Sequence, residues 1–303
     1  MDIRAQIREL ARRRKAIILA HNYQRPEVQD IADFTGDSLG LSLIASESDA
    51  HIIVFCGVKF MAESAAILAP DRIVALPHKG AGCPLADRAD HREIARMKRE
   101  NPELVVVSYV NSTARTKAVS DYCCTSANAV ELVKSIPKHK PVLFAPDRNL
   151  GRYVSRKLRR RLVLWDGYCP VHEQLTEAEL LEAKRRHPEA VVMAHPECRW
   201  DVLKHADAVL STSGMLRYAR ESNAREFIVA TEIGLLHPLK KQNPKKRFYA
   251  ASPYLVCPDM KLTTLEDVLA ALKRPEEFRI TVPEAVSNRA RRALKRMLEI
   301  IPS

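Results

Sequence analysis

The stretch Ile17-Ile18-Leu19-Ala20-His21 decides how this chain reads, because it returns twice, as Val105-Val106-Val107-Ser108-Tyr109 and as Val191-Val192-Met193-Ala194-His195. Each copy is a short apolar run that ends in a polar ring, and the three rings lie 88 and 86 residues apart. Seventeen residues beyond each ring stands a hydroxyl, namely Ser38, Ser126 and Thr212. Further apolar runs carry Phe55, Leu143 and Val229 at offset 34, and Val74, Leu162 and Phe248 at offset 53. Each copy closes on a cysteine followed by proline: Cys83-Pro84, Cys169-Pro170 and Cys257-Pro258, at offsets 62, 60 and 62. A repeat that returns the same reactive residue types in phase predicts one site where three similar modules meet.

Each copy is introduced by a charged amphipathic helix, expected over residues 1–15, 89–100 and 176–187. Short continuous apolar runs between helices are the pattern of a parallel sheet buried on both faces. Alternation of helix and strand adds the crossovers of an α/β module. The expected fold class is therefore α/β: three similar three-layer αβα domains with parallel sheets, arranged around a pseudo-threefold axis. The expected units are 1–88, 89–174 and 175–303, the last carrying a helical tail over 262–273 and 283–300. No Gly-, Ser- or Pro-rich linker divides them, so they are expected to pack closely.

The chain has 303 residues, 46% hydrophobic and 28% charged, which reads as a globular protein. No apolar run approaches the ~18 residues of a membrane helix, and residues 1–15 lack the apolar core of a signal peptide. A cytoplasmic protein without a membrane partner is expected. An odd count of seven cysteines fits a disulfide framework poorly. The net charge of +12 is spread over runs such as 156–161, 240–247 and 289–296, and none stands beside aromatics in an RNA-binding pattern. These runs read as solvated faces, so nucleic acid is not an expected partner. A positive field would still gather small anions into a cleft.

Ligands of parallel α/β sheets bind beyond the carboxyl ends of the strands. Those ends present His21-Asn22-Tyr23, Tyr109-Val110-Asn111 and His195-Pro196-Glu197. Ser38, Ser126 and Thr212 are expected to open helices, as N-caps or as anion contacts beside free backbone N–H groups. The candidate substrate contacts are thus His21, Ser38, Tyr109, Val110, Asn111, Ser126, His195, Pro196, Glu197 and Thr212. The cysteines form no CxxC pair, which argues against a local zinc site. Three thiolates from three modules would leave one position of a metal centre open. A [4Fe–4S] cluster is normally held by four cysteines, so three leave one iron free to act as a Lewis acid. Cys56, Cys123, Cys124 and Cys198 have no in-phase counterparts and read as buried or incidental.

These residues resemble the quinolinate synthase family over nearly the whole chain. The motifs that carry the resemblance include His21-Asn22-Tyr23-Gln24, Gly36-Asp37-Ser38-Leu39-Gly40, Ala81-Gly82-Cys83-Pro84-Leu85-Ala86-Asp87, Gly167-Tyr168-Cys169-Pro170-Val171-His172-Glu173, His195-Pro196-Glu197-Cys198 and Thr231-Glu232-Ile233-Gly234. Cys123 beside Cys124 departs from the family pattern. The resemblance implies a central [4Fe–4S] cluster on Cys83, Cys169 and Cys257. It implies a transferase of NAD biosynthesis that condenses iminoaspartate with dihydroxyacetone phosphate to quinolinate, releasing phosphate and water. It also implies a transient partner, the aspartate-oxidising enzyme that supplies iminoaspartate. His21, Tyr23, Tyr109, His195 and Glu197 are then the expected acids and bases. His172 and Glu173 adjoin a cluster ligand, and the sequence leaves two readings equally open: they orient Cys169 or bond its sulfur, or they are ordinary polar residues beside it.

Overall fold

The recurring apolar runs become the strands of three separate four-stranded parallel sheets. The computed structural model describes residues 2–300. Met1 and residues 301–303, at the outer ends of the first and third expected units, lie outside the described residues. The first sheet holds β1 (Ala16–His21), β2 (Phe34–Gly36), β3 (Ile52–Cys56) and β4 (Ile73–Ala75). The second holds β5 (Val105–Tyr109), β6 (Tyr122–Cys124), β7 (Val142–Ala145) and β8 (Val163–Leu164). The third holds β9 (Val191–Ala194), β10 (Ala208–Val209), β11 (Glu226–Ala230) and β12 (Arg247–Ala250). Spatial order is the same each time, β2-β1-β3-β4, β6-β5-β7-β8 and β10-β9-β11-β12. Register repeats as well: Leu19 pairs with Phe34, Val107 with Tyr122 and Met193 with Ala208.

An aspartate fixes this register in every sheet. The Ile18, Val106 and Val192 N–H groups donate to Asp33, Asp121 and Asp207 at 2.7, 2.8 and 2.8 Å. All three carboxylates stand twelve residues after the strand-end ring, a further in-phase landmark. The end of the crossover, one residue before the second strand, is thereby tied back to the first strand, and a backbone donor gains a side-chain acceptor.

Alternation along each central strand divides the core. Leu19, Val107 and Met193 face one continuous apolar cluster that all three sheets share. Their neighbours Ile18, Val106 and Val192 face three separate outer cores. The lead-in helices Ile3–Arg13, His91–Glu100 and Glu177–Arg186 supply Ile7, Ile94 and Leu180 to those outer cores. The C-terminal helices turn back toward the first two sheets. Val268 and Leu272 of Leu265–Lys273 join Ile7 and Ile18. Helix Glu284–Leu298 packs against helix Ala114–Ala118, β6 and helix Lys59–Leu68. Among the described residues no helix is long and apolar enough to cross a membrane.

Candidate active site

The carboxyl ends of β1, β5 and β9 converge on one cavity. Its wall contains His21, Tyr23, Ser38, Tyr109, Asn111, Ser126, His195, Glu197 and Thr212 together with Cys83, Cys169 and Cys257. Two candidates lie elsewhere. Val110 is buried with its N–H donated to the Cys124 carbonyl at 2.8 Å, and Pro196 lines an adjacent groove. Each is the middle residue of its strand-end triplet, so it points away when its neighbours point in.

The three hydroxyls are not the helix caps that their positions suggest. Asp37 and Ser211 cap instead, accepting from the Gly40 and Gly214 N–H groups at 2.9 and 3.1 Å. Ser38 and Thr212 are the first helical residues that follow. The helix after Ser126 starts only at Ala129, because Asn128 folds back to accept from the Thr125 N–H at 2.8 Å. Capping by the preceding residue frees Ser38 and Thr212 to face the cavity. Thr212 Oγ1 receives the Asn22 amide at 3.0 Å, and Ser126 Oγ meets His195 Nε2 at 3.1 Å.

Both strand-end imidazoles are held by one device. The Tyr23 N–H donates to His21 Nδ1 at 3.1 Å, and the Glu197 N–H to His195 Nδ1 at 3.4 Å. An accepting Nδ1 carries no proton, so each ring bears its hydrogen on Nε2. Burial, first of all, pushes both rings down to about 3. Each is therefore a neutral donor, and His195 gives its proton to the Ser126 oxygen.

A second chain of contacts runs beneath them. Tyr23 Oη and Thr231 Oγ1 lie 2.5 Å apart, and Thr231 Oγ1 is 2.8 Å from His172 Nε2. His172 Nδ1 lies 2.7 Å from Glu197 Oε2, and the Asn111 amide reaches Glu197 Oε1 at 3.5 Å. Burial raises the Glu197 carboxyl, but His172, His195 and the Tyr109 hydroxyl outweigh it and bring it down to about 2. Burial and the nearby Glu197 charge push Tyr23 and Tyr109 well above the ordinary phenol range. At rest Glu197 is thus ionised, both phenols keep their protons, and the His21 and His195 rings are neutral.

The cysteines suit a metal centre. None is in a disulfide, and all three are partly buried on the same wall. Burial pushes Cys83 up to about 12 and Cys257 to about 11, and drives Cys169 far up as well. A charge on Cys257 would push the Cys83 thiol up further, and one on Cys83 would do the same to Cys169. Such thiols ionise only when a cation replaces the water they have lost. A tighter donor set overlaps theirs: ligand atoms of Cys169, His172 and Glu197 all lie within 4.8 Å of one another. His172 serves Glu197 and Thr231 with its side chain rather than the Cys169 sulfur. Glu173 turns outward to Arg148 and Asn149 at 2.7 and 2.6 Å.

Sequence reasoning did not single out Thr231, Asp37 or Thr125. Thr231 has no in-phase hydroxyl in the other units to mark it, whereas Asp33, Asp121 and Asp207 share one phase that does mark them.

Three parallel α/β sheets whose strand ends and cysteines share one buried polar cavity define an α/β enzyme with a site able to bind metal. The model of the quinolinate synthetase A protein family matches residues 5–299. Quinolinate synthase of Desulforudis audaxviator is 56% identical over 99% of this chain and 98% of its own length. That of Geotalea uraniireducens is 53% identical over 99% and 98%. That of Methanosarcina barkeri is 52% identical over 97% and 96%. The chain belongs to the quinolinate synthase family.

Proposed function

We propose that this enzyme condenses iminoaspartate with dihydroxyacetone phosphate to quinolinate, releasing one phosphate and two waters, in the cytoplasm. The observation that carries the reading is the convergence of in-phase residues from three sheets on one cavity, in a chain whose residues 5–299 match its family. The reading takes the three units, 1–88, 89–174 and 175–303, to surround a pseudo-threefold axis through that cavity. Cys83, Cys169 and Cys257 would hold a [4Fe–4S] cluster. When bound, the iron without a cysteine would supply Lewis-acid chemistry toward a hydroxyl or carboxylate oxygen.

The chain's own residues divide the remaining work. Two carboxylates and a phosphate enter as substrates, and neutral donors suit them: His21 Nε2–H, the Ser126 hydroxyl held by His195, Ser38 and the Asn111 amide. Val110 and Pro196 would contribute only by setting the backbone of their triplets. Ring formation requires protons to leave carbon and hydroxyls to leave as water. Glu197 is the ionised acceptor for the first task. Tyr109 and Tyr23 are protonated donors for the second. Thr231 and His172 join Tyr23 to Glu197, so a proton given up at the phenol can be restored from the carboxylate side. Burial under three sheets excludes water that would hydrolyse the imine. The enzyme that oxidises aspartate is the expected donor of iminoaspartate, and no nucleic acid takes part.

Anaerobic reconstitution with iron and sulfide, followed by a quinolinate assay, tests the reading. The expected result is a brown protein that forms quinolinate from the two substrates. A fully loaded protein without turnover would overturn it. Replacing Cys83, Cys169 or Cys257 by Ser is expected to abolish visible absorption, whereas replacing Cys56, Cys123 or Cys198 leaves it. A complete cluster in any of the first three variants removes the ligand assignment.

A further inference from the structure

Each cysteine loop ends on a residue with no N–H of its own, because proline follows the cysteine. The cysteine N–H, or the one before it, is then the last donor that can tie the loop down. Two carboxylates take that role. Asp147 accepts from the Leu150 N–H with Oδ1 at 2.7 Å and from the Cys169 N–H with Oδ2 at 3.2 Å. Glu232 accepts from the Gly234 N–H with Oε2 at 2.7 Å and from the Cys257 N–H with Oε1 at 3.1 Å. One oxygen caps the turn that leaves the third strand of the sheet, and the other grips the cysteine loop. Asp147 and Glu232 stand 38 and 37 residues after Tyr109 and His195, so they occupy equivalent places.

The first unit lacks this residue. Val58 stands 37 residues after His21, and it begins helix Lys59–Leu68 without a side-chain cap. The loop before Cys83 is held from the third unit instead, where Asp259 Oδ1 accepts the Gly82 N–H at 3.0 Å. Asp259 lies two residues beyond Cys257. The loop of the first cysteine is therefore fastened to the loop of the third.

The fastening is built tightly. A Cβ on Gly234 would stand 2.7 Å from Glu232 Oε2 and 2.7 Å from Lys261 Nζ, and one on Gly167 would collide with the Pro146 carbonyl. Lys261 binds Glu232 Oε1 at 2.9 Å and also the Tyr23 carbonyl, and thereby locks the carboxylate in place. We infer that Asp147, Glu232 and Asp259 are positioning residues that preorganise the three cysteine loops before any metal arrives, with the first loop ordered through the third.

This inference rests on the cluster reading for its purpose, but its mechanics are testable without a cluster. Amide hydrogen exchange in the metal-free protein is expected to quicken at least ~10-fold at Cys169 in Asp147→Ser. Serine keeps the helix cap but has no second oxygen for the loop. Exchange at Cys257 should quicken likewise in Glu232→Ala, and at Gly82 in Asp259→Ala. The isosteric Asp259→Asn keeps its single acceptor and should restore most of the protection at Gly82, whereas Asp147→Asn and Glu232→Gln offer one oxygen to two N–H donors and should leave the cysteine N–H exchanging fast. In reconstituted protein the clamp-breaking variants should lose iron to a chelator ~10-fold faster. Glu232→Ala should also speed exchange at Gly82, through the Cys257 loop, whereas Asp147→Ser should not. Unchanged exchange at Cys169 and Cys257 would overturn the inference. Failure of the unaltered chain to take up iron and sulfide would instead remove the cluster reading and leave the exchange result standing.

Discussion

The ends of β1 and β9 make the same turn and carry different chemistry. In both, a histidine closes the strand and accepts the N–H of the residue two places on through Nδ1. Both rings are buried, and burial pushes both down to about 3. The residue supplying that N–H is Tyr23 in the first unit and Glu197 in the third, a protonated donor in one and an ionised acceptor in the other. The repeat preserves the scaffold and the imidazole tautomer. The divergence at the second position after the ring places an acid and a base in one cavity.

Removing the acceptor is expected to have the largest effect. Glu197→Ala leaves His172, Tyr109 and Asn111 without their common partner. Turnover per bound iron should fall by at least ~100-fold, the scale of a lost general base. A smaller fall than that of Tyr23→Phe would break the division of roles between the two strand ends. Next comes the donor. Tyr23→Phe should lower kcat and kcat/KM together by ~10-fold or more, as expected when a contact made in the transition state is lost. Tyr109→Phe should raise KM as well, since its hydroxyl also steadies Glu197. A rise in KM alone for Tyr23→Phe would make it a binding residue. Iron content must be measured in both variants before rates are compared.

The shared feature of the two ends predicts a pH dependence. A histidine lowered from 6.5 to about 3 on folding binds a proton more readily when the chain is unfolded. Stability from these rings is complete above about pH 6.5 and is lost as pH falls toward about 3, by at most about 1.4 kcal/mol per unit for each ring. The Tm of metal-free His21→Asn should fall less steeply across that window than that of the unaltered chain. An equal slope would show that His21 charges without penalty in the fold. The smallest effect concerns the hydroxyls. Ser211→Ala should cost about 1 kcal/mol of stability and leave dicarboxylate affinity unchanged. Ser126→Ala should do the reverse, and matching stability losses would return Ser126 to a capping role.

Much of this was legible in the strands. Valine, isoleucine and leucine in short runs, separated by helical patterns, specify buried parallel strands through local preference and burial alone. Their near-equal spacing, 88 and 86 residues, marked the three sheets and pointed to twelve residues that line one cavity. Ser38 and Thr212 open their helices and line the cavity, as the spacing predicts, but a cap and a first helical residue differ by one position, and sequence resolves helix ends no better than that. Asp37 and Ser211 were the better caps. The tail follows the third unit in sequence, but helix Leu265–Lys273 packs with Ile7 and Ile18 of the first, and helix Glu284–Leu298 packs on elements of the first and second.

The sequence by itself determined the three-sheet repeat, the strand ends that face the site and the cysteines that return in phase. These follow from periodicity and from the fixed direction of parallel strands. Only the tertiary structure decided the contacts that no repeat encodes. His172 stands three residues after Cys169, where the other units have Ala86 and Met260, and it meets Glu197 from another sheet. Thr231 joins it to Tyr23, and Asp259 crosses to Gly82. Such pairs span 59, 208 and 177 residues. Partners so distant are chosen by how the three sheets pack, because a buried donor or acceptor must find its complement wherever the packing leaves one.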